Sequence, residues 1–237
     1  MASSLETTLC QAKMAEQAER YDEMLDMLVD AAIAPEDMTL KIMNLLVVAA
    51  QNSVGARRHS VAVIAALEAR AESYNDSGRV ELIRAYRRKV YAEMELIVTG
   101  KVLPVIVMYK KATAVEVAVL AWRMEGDYYR YLHEFQTGVE RDVYAEKASS
   151  AYVKAMEVAG KNLGSMNSIR LGVVLNYSAY LYEGLQKFND ATALATAAFE
   201  LAMKELEASA GGGDECNDAV VMLQLLRDNV TRWHECA

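Results

Sequence analysis

Gly126-Asp127-Tyr128-Tyr129-Arg130-Tyr131-Leu132 is the stretch of this sequence whose residue types could do chemistry. On a helix, an aspartate three residues before an arginine lies within reach of its guanidinium and can fix its direction. A held guanidinium fork beside a phenol hydroxyl suits a phosphate. The fork offers paired donors at full charge, the hydroxyl adds one more, and hydrogen bonds to charged groups contribute roughly 1.5–3 kcal/mol each. The same seven residues also fit a tyrosine-rich core face with an ordinary surface ion pair, so the elements around them must decide.

The 237 residues include only 2 prolines and 12 glycines, with 24% charged residues and abundant Ala, Leu, Met and Glu, a composition of long helices rather than sheet. The net charge of −8 is the wrong sign for nonspecific binding to nucleic acid or an anionic membrane, so a phosphate site must be a local basic pocket in an acidic body. The start, Met1 to Thr8, lacks the basic and apolar regions of a signal peptide, and no apolar run reaches about 18 residues, which points to the cytosol or nucleus. Cys10, Cys216 and Cys236 form no CxxC pair and read as reduced thiols. His59, His133 and His234 have no metal-site spacing, and no cofactor motif is present. Nothing combines nucleophile, base and oxyanion donors, so an enzyme is the least favoured class.

The periodicity predicts a first helix over 4–20, with Leu5, Leu9 and Met14 apolar, and a continuation through Tyr21, Met24, Leu25 and Leu28. That pair is too short to bury its own apolar face and needs a partner surface. Pro35-Glu36-Asp37 reads as a helix start, leading into a long helix from about Leu40 past Glu68. Gly55 in its middle costs about 1 kcal/mol relative to alanine and implies a close neighbour. Asn75-Asp76-Ser77-Gly78 is a turn, followed by a helix with Tyr86, Val90, Met94 and Ile97 on one stripe. Pro104 predicts a kink or early end of that helix near Leu103. Val115 to Phe135 is the helix carrying the opening stretch. Beyond it, Tyr131 and Tyr180 stand 49 apart and Tyr152 and Phe199 stand 47 apart, a faint repeat like stacked helical hairpins. Ser168 and Asn189 read as helix caps, 210–214 as a flexible joint, and about 217–235 as the last helix.

Five separated blocks then share one resemblance, in one order: Ala15-Glu16-Gln17-Ala18-Glu19-Arg20-Tyr21-Asp22-Glu23-Met24, Val54-Gly55-Ala56-Arg57-Arg58, the Gly126–Leu132 stretch, Ile169-Arg170-Leu171-Gly172 with Leu175-Asn176, and Gln224 to Trp233. Together they resemble the 14-3-3 proteins, adaptors for phosphoserine or phosphothreonine peptides, over about residues 4–235. The resemblance implies an all-α fold of nine antiparallel helices built from hairpins like those of tetratricopeptide repeats, forming a cup-shaped dimer. It implies a single domain over 1–237, with about 4–110 supplying the dimerisation half and one groove wall and about 113–235 the rest of the peptide groove.

Carried over residue by residue, the resemblance assigns phosphate binding to Arg58, Arg130 and Tyr131, while Gln51 stands where the family has lysine. Peptide contacts fall on Leu175, Asn176, Glu183, Leu225, Asn229 and Trp233, with Ala179 and Met222 completing the apolar wall. Other departures are Val47, Ala50 and Ala62 for a serine, a tyrosine and an outer arginine, and Arg232 for the wall leucine before the tryptophan. Losing one charge-assisted hydrogen bond at ~1.5–3 kcal/mol weakens binding roughly ten- to a hundredfold unless Arg232 or Arg123 compensates. Two arginines still balance most of a phosphate charge of about −1.5 to −2.

The subunit-linking pairs match Arg20 with Glu93 and Glu23 with Lys89, and Tyr86 is in place. Such exposed pairs contribute only ~0–1 kcal/mol each, leaving Leu9, Met14 and Ile64 to supply most of the hold in a homo- or heterodimer. Ser60 matches a serine near that interface whose phosphorylation weakens dimers in some members. The chain lacks the family's acidic tail, which implies an open groove. The partners implied are phosphorylated client proteins or peptides and a second 14-3-3 chain, with neither nucleic acid nor membrane. The competing reading is a helical scaffold that binds unphosphorylated partners, its phosphate pocket lost.

Overall fold

The structure, a computed structural model, describes residues 4–208 and 215–235. Among these residues there is no strand, and nine continuous helical segments carry the fold. They are α1 (Ser4–Gln17), α2 (Tyr21–Asp30), α3 (Leu40–Ser73), α4 (Ser77–Ile97 running on through Val98–Val102 and Leu103–Tyr109), α5 (Val115–Phe135), α6 (Gly138–Asn162), α7 (Ser168–Ala179 with Tyr180–Gly184), α8 (Phe188–Ala208) and α9 (Glu215–Glu235). The chain divides into two compact units, 1–112 and 113–237. The predicted joint at 210–214 lies outside the described residues, as do the side chains of Cys216 and Cys236.

In the first unit, α3 is the central rod. It begins at Leu40, as the sequence reading has it, where the Thr39 side chain accepts the Ile42 amide and caps it; Ala34 to Asp37, read as helix-start chemistry, form a separate turn. Met24, Met43, Leu46, Met94 and Ile106 are fully buried around it. Two polar clasps fix its neighbours. Asp22 of α2 takes a forked contact from Arg57 at 2.6 and 2.7 Å and the Ser53 hydroxyl at 2.6 Å. Glu68, nearly buried, takes Arg84 Nε and Arg87 Nε of α4, each at 2.8 Å. The expectation of a close neighbour at Gly55 fails, since a Cβ there would meet nothing within 4 Å.

Pro104 does not end α4. The helix widens by one residue just before it, so that the Leu103 amide bonds the Val98 carbonyl five residues back. A π-turn of this kind absorbs the missing proline donor, and the chain resumes as α-helix through Tyr109. The Tyr109 hydroxyl then donates to the Ile33 carbonyl at 3.0 Å, tying the end of α4 to the α2–α3 loop.

In the second unit, α5 and α6 approach closely because Gly126 carries no side chain. A Cβ there would stand 2.9 Å from three atoms of the Tyr152 ring. Asn167, rather than Ser168, caps α7, its side chain accepting the Ile169 and Arg170 amides. An Asx side chain one position earlier outcompetes the serine because it reaches both amides. Asn189 is the second residue of α8, not its cap. The packing of α7, α8 and α9 buries Leu171, Leu181, Ala191, Ala195, Leu226 and Trp233 in one apolar cluster.

Candidate functional site

The opening stretch lies on α5, and Asp127 is its hub. This carboxylate is 4% exposed. It accepts the Tyr152 hydroxyl at 2.5 Å from α6 and the Asn176 side-chain amide at 2.9 and 3.1 Å from α7. Two guanidinium groups flank it, Arg123 Nε at 3.7 Å and Arg130 Nη2 at 3.9 Å. Sequence spacing had indicated the Arg130 partner; Arg123, one turn before Asp127, joins it through i,i+4 geometry.

These distances matter. Tyr152 and Asn176 hold the carboxylate by short hydrogen bonds, whereas both arginines stand beyond hydrogen-bond length. The arginine Nε atoms are buried and make no hydrogen bond in the structure. Two cations therefore share one carboxylate, leaving about one positive charge and unspent donors at this face of α5. Burial alone would pull the Arg130 guanidinium down, but Tyr152, Asp127 and Tyr131 more than reverse it and hold it above the ordinary arginine value. Burial pushes the Tyr152 phenol well up, so it remains a donor to Asp127. Tyr131 lies half-buried beside Arg130, whose guanidinium carbon sits 5.0 Å from its ring centre.

The remaining predicted groove residues of this unit fall on α7 and α9. Leu175, Asn176 and Ala179 are partly exposed, Glu183 is open to solvent, and Met222, Leu225 and Asn229 present accessible surface on α9. Trp233 is different. Its ring is only 2% exposed and stacks on Tyr182 with centroids 4.7 Å apart, so it belongs to the core that supports α9 rather than to an open wall. Beside it, Arg232 donates to the Asn229 side-chain oxygen at 3.0 Å and stands 3.5 Å from Glu183.

The first unit carries the other predicted residues. On α3, Gln51 is exposed, Arg58 is half-buried and Ala62 is exposed, whereas Val47 and Ala50 are buried. Arg20 and Glu23 form a forked ion pair with each other within one turn, including a 2.7 Å bond from Nε. Lys89, Glu93 and Tyr86 are exposed on α4. Met14 is 62% exposed, but Ile64 is 8% exposed and already committed to this chain's own core, so it cannot supply intersubunit contact as expected. The Ser60 hydroxyl donates to the Ala56 carbonyl at 2.9 Å.

The family model described as 14-3-3 protein matches residues 11–234. The chain belongs to the 14-3-3 family. It is similar to a 14-3-3-like protein of Helianthus annuus, 41% identical over 237 residues spanning 98% of this chain and 90% of the relative. It is likewise 41% identical to 14-3-3 protein 6 of Solanum lycopersicum, across 98% of this chain and 91% of that one. A third 14-3-3 relative, GF14 nu of Arabidopsis thaliana, is 39% identical over 99% of this chain and 89% of its own length.

The Asp127 cluster was only partly legible in advance. In the sequence Arg123 reads as a compensating charge and Asn176, through the family resemblance, as a peptide contact, but Tyr152 carries no local signal because its partner lies 25 residues away. No helix among the described residues is long and apolar enough to cross a membrane.

Proposed function

We propose that this 14-3-3 chain is a dimeric adaptor that binds phosphoserine or phosphothreonine motifs of client proteins in a concave groove, with affinity lowered by Gln51. The observation that carries the reading is the Asp127 cluster. Arg123, Arg130 and Asn176 converge on one buried carboxylate that tethers them without neutralising both cations, an arrangement suited to a phosphate. In this reading Arg58 completes the phosphate site from α3, and Tyr131 adds a hydroxyl donor. Gln51 offers an amide donor and no charge. Asn176, Asn229, Glu183, Leu175 and Leu225 hold the peptide, with Trp233 supporting α9 from behind. The protein acts by holding its clients and catalyses nothing.

The dimer part of the proposal rests on the exposed apolar side chains of the first unit. Met14 is 62% and Tyr86 58% exposed, and a second copy, or another 14-3-3 chain, would cover them. Arg20 and Glu23 would exchange their mutual pair for Glu93 and Lys89 across the interface. One exposed pair is traded for two, each worth only ~0–1 kcal/mol, so the exchange sets register more than affinity.

The absence of a charge at Gln51 and Ala62 favours a second reading, a scaffold that recognises unphosphorylated partners. Fluorescence polarisation with a labelled peptide of the arginine-serine-x-phosphoserine-x-proline type separates the two. The adaptor binds the phosphorylated peptide and loses most of its affinity after phosphatase treatment. A scaffold binds both forms alike or neither.

A further inference from the structure

Arg232 places a guanidinium on a rim that otherwise offers acceptors and apolar surface. Its Nη2 donates to the Asn229 side-chain oxygen at 3.0 Å and stands 3.5 Å from the Glu183 carboxylate, so one arginine engages both groups. Arginine has five donors and no acceptor, which fixes the Asn229 amide with its oxygen toward Arg232 and its NH2 turned away. One lone pair of the Asn229 oxygen is thereby engaged, and the Glu183 charge is partly offset by the neighbouring cation. The outward groups added here are the amide NH2 and the unspent part of the Arg232 fork, donors beside the exposed Glu183 carboxylate.

The backbone beneath is firmly held. Trp233, the next residue, is buried and stacked on Tyr182, which precedes Glu183 directly. The stacked rings thus fix the ends of α7 and α9 from which Glu183 and Arg232 project. The two charged side chains themselves stay exposed, at 60% and 58%.

We infer that Arg232 is a specificity-determining residue of the peptide groove, which makes this chain discriminate against a basic residue flanking the phosphoresidue and accept an acidic or neutral one. The inference rests on the adaptor reading above and names the ligand class of the same groove. A bare Glu183 would attract an arginine of the peptide. Here that carboxylate already faces a cation, and an incoming arginine meets like charge, while an incoming carboxylate meets donors. Exposed ion pairs of this sort are worth up to about a fivefold change in affinity.

The test is a calorimetric titration of the intact protein with one phosphoserine peptide carrying arginine, alanine or glutamate at each of the three positions on either side of the phosphoserine. The unphosphorylated parents serve as controls, and the titrations are repeated with Arg232→Leu, Arg232→Lys and the double variant Arg232→Leu, Glu183→Gln. At one or more positions the wild type should bind glutamate and alanine peptides up to about fivefold more tightly than arginine. Arg232→Leu should reverse that order in favour of arginine, Arg232→Lys should keep the wild-type order, and the double variant should show no preference. An order unchanged by Arg232→Leu while phosphopeptides still bind overturns the inference alone. Failure of every phosphopeptide to bind the wild type overturns the adaptor reading and this inference with it.

Discussion

Replacing Asp127 with alanine should be the most damaging single truncation on α5. The carboxylate is buried and has four neighbours from three helices: Tyr152, Asn176, Arg123 and Arg130. Removing it leaves two mostly buried guanidinium groups, 15% and 21% exposed, side by side without their shared counter-charge. It also strands the Tyr152 hydroxyl, whose Oη lies 2.5 Å from the lost oxygen. Breaking a buried pair by removing one partner costs about 3–5 kcal/mol, and that figure already contains part of the stranded-donor penalty. Against a typical stability of about 5–15 kcal/mol, such a loss is large. Asp127→Asn keeps the volume and an acceptor for Tyr152 but removes the charge, so about 1.5–3 kcal/mol should go, the value of hydrogen bonds to a charged group. Equilibrium urea unfolding followed by circular dichroism measures both. Asp228→Ala is the control, since its pair with Arg227 is 58% exposed on both sides and should move stability by less than about 0.5 kcal/mol. If Asp127→Ala costs no more than Asp228→Ala, Asp127 is not the hub described here.

Gly126→Ala should destabilise by about 1–3 kcal/mol, because the added methyl would stand 2.9 Å from a Tyr152 ring held in place by Asp127. A thermal midpoint equal to that of the wild type would mean the α5–α6 contact yields freely. Burial, aided by Arg141 and opposed by Asp142 and Glu134, lowers the His133 imidazole below its usual value. Its contribution to stability is therefore full above about pH 6.5, the unfolded value, and is lost as pH falls through the folded value. The wild type should lose more stability than His133→Phe between about pH 7.5 and 5.5 in urea unfolding; parallel losses would exclude the imidazole. Gln51→Lys should tighten phosphopeptide binding roughly ten- to a hundredfold in a fluorescence titration, and no gain would count against a phosphate contact at that position.

Helix identity was legible in the residues, and helix ends much less so. Val115–Phe135 appears as read, because its apolar period and flanking turns agree. At the start of α3, proline and two acids imitated a first turn, but the cap is Thr39, whose side chain reaches the Ile42 amide. Pro104 carried the correct warning about a lost donor, and of its two expected outcomes the early end does not occur, since a π-turn upstream absorbs the loss and the helix runs on to Tyr109. Gly55 shows that a glycine in a helix need not mark a contact within the same chain.

The site divides in the same way. The Asp127–Arg130 spacing is local and visible by inspection. The link to Asn176 is 49 residues long, the same separation that relates Tyr131 and Tyr180, so the faint repeat held the register of α5 against α7 without naming the bond. Tyr152 could not be picked out, because aromatic residues on a helical stripe look alike whether they fill space or donate a hydrogen bond. Trp233 was assigned to a wall by resemblance, and its stacking on Tyr182 depends on how α7 and α9 pack, which spacing within α9 cannot reveal.

The phosphate dependence of peptide binding separates an adaptor from a scaffold. One phosphoserine peptide and its unphosphorylated parent should be titrated by calorimetry into the wild type, Arg58→Ala and Arg130→Ala. The wild type should prefer the phosphorylated form at least about tenfold, and each variant should lose most of that preference, since each removes a charge-assisted contact of ~1.5–3 kcal/mol. Equal affinity for the two peptides in the wild type, or a preference that survives in Arg130→Ala, would contradict the adaptor reading.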